Sequence, residues 1–282
     1  METIVGIGSA GCNIADQFAQ YSQYNIYKID TGLKHDSCSY NIEKRNTHQE
    51  YEKQVPDFQN FFSVINSKVL VIVSGAGNIS GITLKTIEQL VIQVKPENVD
   101  VLYIRPDVED LNGATKLQER LVYNVLQQYA RSGMFNNLIL VDNPSLEKIV
   151  GEVPIRVYFE KLNEVLVSTL HLINVFDHSD MVINSFFKKS NSSRISTLGI
   201  YDIEEDEEKL FFPLNKRTER HYYYAINDEA LDSDGTLIQN IKRKMREINN
   251  SGQRATYAVY PTKYSNNFVY IITFSQHIQK NA

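Results

Sequence analysis

The sequence predicts an α/β protein in three parts: a parallel sheet covered by helices, a long central helix, and a smaller C-terminal α+β domain with a mixed sheet. Three observations lead there. Strand and helix signals alternate through the first half of the chain. A glycine string, Gly6-Ile7-Gly8-Ser9-Ala10-Gly11, joins the first strand to the first helix. After Pro154 the pattern changes to one long apolar-periodic helix and then to strands with few helices. The expected divisions are residues 1–154, 155–180 and 181–282.

Element by element, Ile4 to Ile7 reads as a strand, Asn13 to about Gln20 as a helix, and Asn25 to Ile29 as a strand ending at Asp30. Leu33 to Pro56 is polar and reads as a surface loop with some helix. Val69 to Val73 is a β-branched apolar run, the mark of a strand buried on both faces. A helix over Thr83 to Val94, a strand over Asp100 to Ile104, a helix over Ala114 to Tyr129 and a strand over Leu138 to Val141 follow. Ile155 to Phe176 is the long helix, with apolar residues at Phe159, Leu162, Leu166, Leu170 and Ile173. Strands are then expected at Ile195 to Tyr201, Leu210 to Phe212, His221 to Ile226, Ala255 to Tyr260 and Phe268 to Phe274. A helix over Thr236 to Ile248 interrupts them. The acidic run Ile203 to Lys209 and the mixed basic run Asn215 to Arg220 read as solvated loops.

The 282 residues are 42% hydrophobic and 22% charged, with a net charge of −5, so a sizeable core needs no disulfide or metal staple. No apolar run approaches the roughly 20 residues of a membrane span. The acidic balance implies no surface for nucleic acid. Cys12 and Cys38 lack metal-ligand spacing, and the chain opens directly on a strand, so a reduced cytoplasm is the expected setting.

Gly6 to Gly11 has the form GxGxxG. Glycines let the backbone approach an anion, and a helix N-terminus supplies free N–H groups and a positive dipole end. With Asp30 ending the next strand, this loop alone favours an NAD-type enzyme, or else a tight turn without a ligand. A second loop, Ser74-Gly75-Ala76-Gly77-Asn78-Ile79-Ser80-Gly81, also follows a buried strand and opens a helix. Two such loops in one sheet can hold a polyphosphate chain from both sides, with Asn78 and Ser80 adding side-chain donors.

In order and spacing these segments resemble the tubulin/FtsZ superfamily of GTP-dependent cytoskeletal polymers. Gly6-Ile7-Gly8-Ser9-Ala10-Gly11-Cys12-Asn13 is similar to the first glycine loop of FtsZ, including its closing Asn. Gly75-Ala76-Gly77-Asn78-Ile79-Ser80-Gly81 resembles the signature GGGTGSG, with Ala76, Asn78 and Ile79 departing from it. Ile79 is the consequential departure, because a β-branched side chain resists positive φ and crowds a phosphate. Val141-Asp142-Asn143 resembles the strand-end Asp-Asn of tubulin, and Phe159 with Asn163 the base-contacting segment. Two amides can read the guanine edge, and an aromatic one helical turn away can stack on the base. Glu109 and Asp110, within Pro106 to Asn112, stand where the family binds ribose.

The resemblance implies a Rossmann-like GTPase domain, a C-terminal assembly domain, GTP/GDP and Mg2+ as ligands, and head-to-tail filaments of the protein with itself. An adaptor or cargo protein is a further implied partner, while direct nucleic acid and membrane partners are not. It also implies a catalytic role for Asp177 and Asp180, which would enter the nucleotide site of the next subunit and orient the attacking water. The segment from Asn163 to Asp177 is shorter than the family's by about two helical turns. A non-hydrolysing nucleotide-binding member therefore stays open beside the GTPase reading, with the NAD-type enzyme behind both.

Overall fold

The computed structural model describes residues 1–187 and 189–280. The first half winds as β1 (Thr3–Ile7), α1 (Gly8–Phe18), β2 (Asn25–Asp30), β3 (Ser39–Asn41), α2 (His48–Lys53), α3 (Gln59–Phe62) and β4 (Val69–Ser74). A 3-10 turn over Asn78–Ile82 leads into α4 (Thr83–Val94), then β5 (Val99–Arg105), α5 (Gly113–Ser132), β6 (Asn137–Asp142) and α6 (Asn143–Val150). α7 (Tyr158–Phe176) crosses to the second half. There follow β7 (Ile183–Asn184), β8 (Ile195–Asp202), β9 (Glu207–Leu210), β10 (Glu219–Asn227), α8 (Asp228–Ser233), α9 (Leu237–Asn250), β11 (Arg254–Thr262) and β12 (Phe268–Ser275).

All described strands belong to one sheet, ordered β3-β2-β1-β4-β5-β6-β8-β12-β10-β11-β7, with β9 on the edge of β8. From β3 to β8 the pairings are parallel, with helices crossing over between β1 and β2, β4 and β5, and β5 and β6, whereas β2 and β3 are joined without a helix. β8, β12 and β10 pair antiparallel, and β10 with β11 parallel. The strands β1, β4 and β5 alternate strictly. Ile4, Leu70, Ile72, Leu102 and Ile104 face the layer of α1, α6 and α7, while Val5, Val69, Val71, Val73 and Val101 face α4 and α5. This two-sided burial explains why Val69 to Val73 carries no polar residue.

α7 is the shared element. Leu162, Leu166, Leu170, Ile173 and Phe176 lie in one apolar cluster with Ile4, Leu70 and Leu102 of the first half and Tyr223, Ala258 and Tyr260 of the second. The divisions expected at 154 and 180 fall just before and just after this helix, and the sheet runs on across both. β6 meets β8 at Leu138–Ile195 and Ile139–Ser196. A separate cluster seats α9 on β10 and β11 through Ile241, Met245 and Ile248.

Several elements differ from expectation. α1 begins at Gly8, five residues early, because the glycine string itself forms the first turn. The polar stretch of residues 33–56 holds β3 and α2, with Ile42, His48 and Tyr51 buried. α6 comes unannounced, although Asp142 caps it by accepting from the Ser145 N–H at 2.8 Å and Pro144 sits in its first turn. The long helix starts at Tyr158, after a 3-10 turn over Ile155–Val157. The strand expected at Leu210 to Phe212 lies instead at Glu207–Leu210, since Phe211 and Phe212 turn inward and are fully buried. The acidic and basic runs are not free loops. Glu208 on β9 pairs with Arg217 at 2.9 Å and Arg220 at 2.6 Å.

Candidate functional site

Both glycine loops stand at the C-terminal ends of neighbouring strands, β1 and β4, at the place where open α/β sheets bind ligands. In the first, a Cβ on Gly6 would lie 2.5 Å from the Gly11 carbonyl oxygen, and one on Gly11 would collide with the Ile72 carbonyl. α1 therefore sits directly on the strand ends. Gly8 takes φ +70°, a conformation that favours glycine. No side chain caps the start of α1 or of the 3-10 turn at Asn78. Thr47, Asn112, Asp142 and Asn227 cap α2, α5, α6 and α8, while α3, α4, α7 and α9 also start without a side-chain cap. The first-turn N–H groups of Gly8, Ser9, Ala10 and Gly11 therefore have no side-chain acceptor, and an anion would satisfy them.

The second loop is pinned from below and from both flanks. A Cβ on Gly75 would strike the Tyr103 hydroxyl, which donates to Glu119 Oε1 at 3.1 Å. Glu119 also holds Arg105 at 3.2 Å, with both side chains at least nine-tenths buried. Gln118 Nε2 donates to the Gly75 and Ala76 carbonyls at 3.2 and 3.1 Å, and Ser80 Oγ to Gly75 O at 3.2 Å. Asn78 turns its amide away to the Asn46 carbonyl at 2.9 Å. Ser80 and Asn78 thus brace the loop rather than presenting side-chain donors to a ligand. Ile79 is not at positive φ, because the loop winds into a 3-10 turn that suits any residue. The backbone strain expected there is absent, but the crowding is present: Ile79 stands over Gly8.

Cys12 departs from its expected role. Its thiol is buried, 3.4 Å from the Gly6 carbonyl, and burial, reinforced by Asp30, pushes it up to about 12. It packs beneath the loop and offers a ligand no side-chain contact. Asn13 is exposed on α1. Both carboxylate oxygens of Asp30 are engaged, by Ser9 Oγ at 2.9 Å and the Thr31 N–H at 2.8 Å.

Gln17 of α1 donates to the Glu160 carbonyl at 3.3 Å, which sets the start of α7 beside α1. Phe159 is 64% exposed there, and Asn163 is half-buried one turn later. Asn143, the first residue of α6, is half-buried at the end of β6. The side-chain amides of Asn13, Asn143 and Asn163 have no hydrogen-bond partner among the described residues. Glu109 and Asp110 lie on the exposed loop after β5. Glu109 pairs with Lys116 at 3.1 Å, and Asp110 is near enough to Tyr158 to raise its hydroxyl, behind burial and Glu147. All the expected cofactor residues therefore gather at one end of the sheet.

Asp177 and Asp180 lie at the other end. The last turn of α7 is tied to the chain start: the Met1 amine donates to Asn174 Oδ1 at 2.9 Å, and Asn174 Nδ2 to Met1 O at 3.1 Å. Asp177 Oδ1 accepts from the Tyr223 hydroxyl at 3.1 Å. The residue as a whole is exposed, but partial desolvation of its carboxyl beside Tyr223 raises it, opposed by that hydrogen bond. Asp180 is exposed and makes no hydrogen bond or ion pair among the described residues.

No protein-family model matches the sequence, and no curated protein matches it. Solved structures do. FtsZ of M. jannaschii, as an empty dimer, matches at a TM-score of 0.70 and 14% identity over 97% of this chain and 87% of that one. TubZ of Bacillus thuringiensis serovar israelensis, as a GTPγS-form protofilament, matches at 0.68 and 15% over 96% and 86%. This is the tubulin/FtsZ fold. CetZ2 of Haloferax volcanii, a GTPγS-bound protofilament, extends the likeness at 0.67 and 14% over 97% and 92%. The resemblance carried by the two glycine loops thus holds across the whole chain at the level of fold. Within that fold, sequence reasoning missed Gln118 and Glu119, which support the second loop from over 40 residues away with no local signal.

Proposed function

We propose that this protein binds GTP, polymerises head to tail into filaments in the cytoplasm, and hydrolyses GTP at a site completed by the acidic loop of the next subunit. The observation that carries the reading is the pair of uncapped glycine turns on adjacent strands, with α7 starting beside α1 and ending at Asp177. The phosphates would lie on the N–H groups of Gly8 to Gly11 and of the 3-10 turn, with Asn143, Phe159 and Asn163 around the base. About 14 helical residues separate Asn163 from Asp177, roughly 20 Å of rise, so the acidic pair cannot serve its own chain's nucleotide. In a head-to-tail stack it would face the phosphates of a neighbour and orient water in line. Protofilament-forming structural neighbours support self-association. Among the described residues no group of three His, Cys, Asp or Glu side chains gathers to hold a metal. Mg2+ would therefore be bound mainly through the phosphates and water, which suits its chemistry. Adaptor or cargo partners would attach to the assembled filament.

A second reading, nucleotide-dependent assembly with little hydrolysis, is favoured by one observation, Ile79 over Gly8. One set of measurements tests both. GTP should raise the melting temperature, with ATP and NAD much weaker; at 100 times the dissociation constant the gain is about 2.7 kcal/mol. Asp180→Ala should bind GTP and assemble but lose turnover. Equal shifts with all three ligands would remove the guanine assignment, and unchanged turnover in Asp177→Ala, Asp180→Ala would remove the catalytic one.

A further inference from the structure

Ile79 stands between the two glycine loops. A Cβ built on Gly8 would lie 2.7 Å from Ile79 Cγ2, and one on Gly77 would lie 3.9 Å from the same methyl. That one methyl therefore reaches into the gap that both loops border. The glycine-loop signature it interrupts has glycine at this position, with no side chain to enter the gap. We propose that Ile79 is a gate on the phosphate cradle: its γ2 methyl weakens binding of the guanine nucleotide's phosphate chain, which enters fully only when the side chain rotates. The inference rests on the nucleotide reading above and names the residue that sets its affinity.

Two features make the side chain, and not the loop, the moving part. The loop backbone has nowhere to go. Tyr103 lies under Gly75, Gln118 holds the Gly75 and Ala76 carbonyls, Asn78 is tied to Asn46, and the His48 carbonyl lies against Gly81. Gly8 is equally fixed, since its left-handed φ opens α1 and Gly11 seats that helix on Ile72. The side chain itself is β-branched and stiff at χ1, and it packs against the apolar layer beside α4. Rotation thus has a cost that the nucleotide must supply, and the apparent affinity falls by the fraction of molecules in the open rotamer.

The test uses three variants of the full chain, Ile79→Ala, Ile79→Gly and Ile79→Val, titrated calorimetrically with GDP and GTPγS in the presence of Mg2+. Alanine and glycine remove Cγ2; valine keeps it and loses only Cδ1. Ile79→Ala should tighten both ligands by about tenfold or more, equivalent to about 1.4 kcal/mol. Ile79→Val should stay within about twofold of the parent. Binding by Ile79→Ala where the parent shows none would also support the gate. A parent that binds with Ile79→Ala and Ile79→Gly folded yet no tighter overturns it, and so does Ile79→Val tightening as much as Ile79→Ala. If neither the parent nor any folded variant binds a guanine nucleotide, the nucleotide reading itself falls and takes the gate with it.

Discussion

The two glycine loops look alike in sequence and are held by different means. The first is held by itself: Gly6 and Gly11 bring backbone against backbone, and α1 rests on β4 through contacts that a single Cβ would break. The second is held by others, through Tyr103, Gln118 and Glu119 from β5 and α5 and through α2 from the polar stretch. A loop defined by its own glycines can be found in a sequence. A loop defined by its supports cannot, because the supports are distant and individually ordinary. The second loop is also the one that carries Ala76, Asn78 and Ile79 in place of the signature residues, and one of these, Asn78, has become a brace through the Asn46 carbonyl.

The largest expected difference comes from Glu119→Ala. It strips the buried Arg105 and Tyr103 of their shared carboxylate, and removing one member of a buried pair costs about 3–5 kcal/mol. Urea unfolding should show that loss, and nucleotide binding should fail with the second loop while α1 stays formed. A loss under about 1 kcal/mol would mean that the network is not the pedestal it resembles. Next comes Gly8→Ala. The left-handed φ costs roughly 1–2 kcal/mol for any other residue, and the new methyl meets Ile79. Combining it with Ile79→Ala should return part of that loss, a coupling that a double-mutant cycle would measure; strict additivity would separate the two loops. The smallest effect is chemical. With its thiol pushed up to about 12 and buried, Cys12 should resist alkylation near pH 8 in the native protein while the exposed Cys38 reacts. Mass spectrometry of labelled peptides checks this, and rapid native labelling of Cys12 would show that the first loop opens locally.

Much of the fold was legible because its signals are local. β1, β4, β5, β6 and α4 follow from apolar runs and helical periodicity, and α4 spans Thr83–Val94 as expected. The failures share a cause. The polar stretch reads as a loop with some helix, and α2 fits that, but β3 and the burial of Ile42 and Tyr51 carry no signal, because apolar residues there are too sparse to show a period and burial is set by the second loop packing on it. α6 was missed despite its cap, since a helix of 8 residues shows barely two turns of pattern. For the candidate site, the glycines and amides carried a chemistry that the sequence could display, and the structure sets the two glycine loops on neighbouring strands. The diversion of Asn78 to Asn46, and the burial of the Cys12 thiol, depend on neighbours that no spacing announces.

The seam between β6 and β8 has a mechanical consequence. Among the described residues the β6–β8 ladder is two residue pairs long. Further hydrogen bonds join the same halves: Thr197 Oγ1 donates to the Leu140 carbonyl at 2.8 Å, and the Asp142 N–H to the Phe211 carbonyl at 2.8 Å. α7 lies across the same seam like a splint. Tension applied between the glycine-loop end and the acidic end of the molecule would therefore run down a helix and along the strands, loading their bonds in shear. A torque twisting one half against the other would instead pry open a short ladder. Resistance to that torque would rest on the Thr197 and Asp142 hydrogen bonds and on the apolar cluster that α7 shares with both halves, and not on the ladder itself.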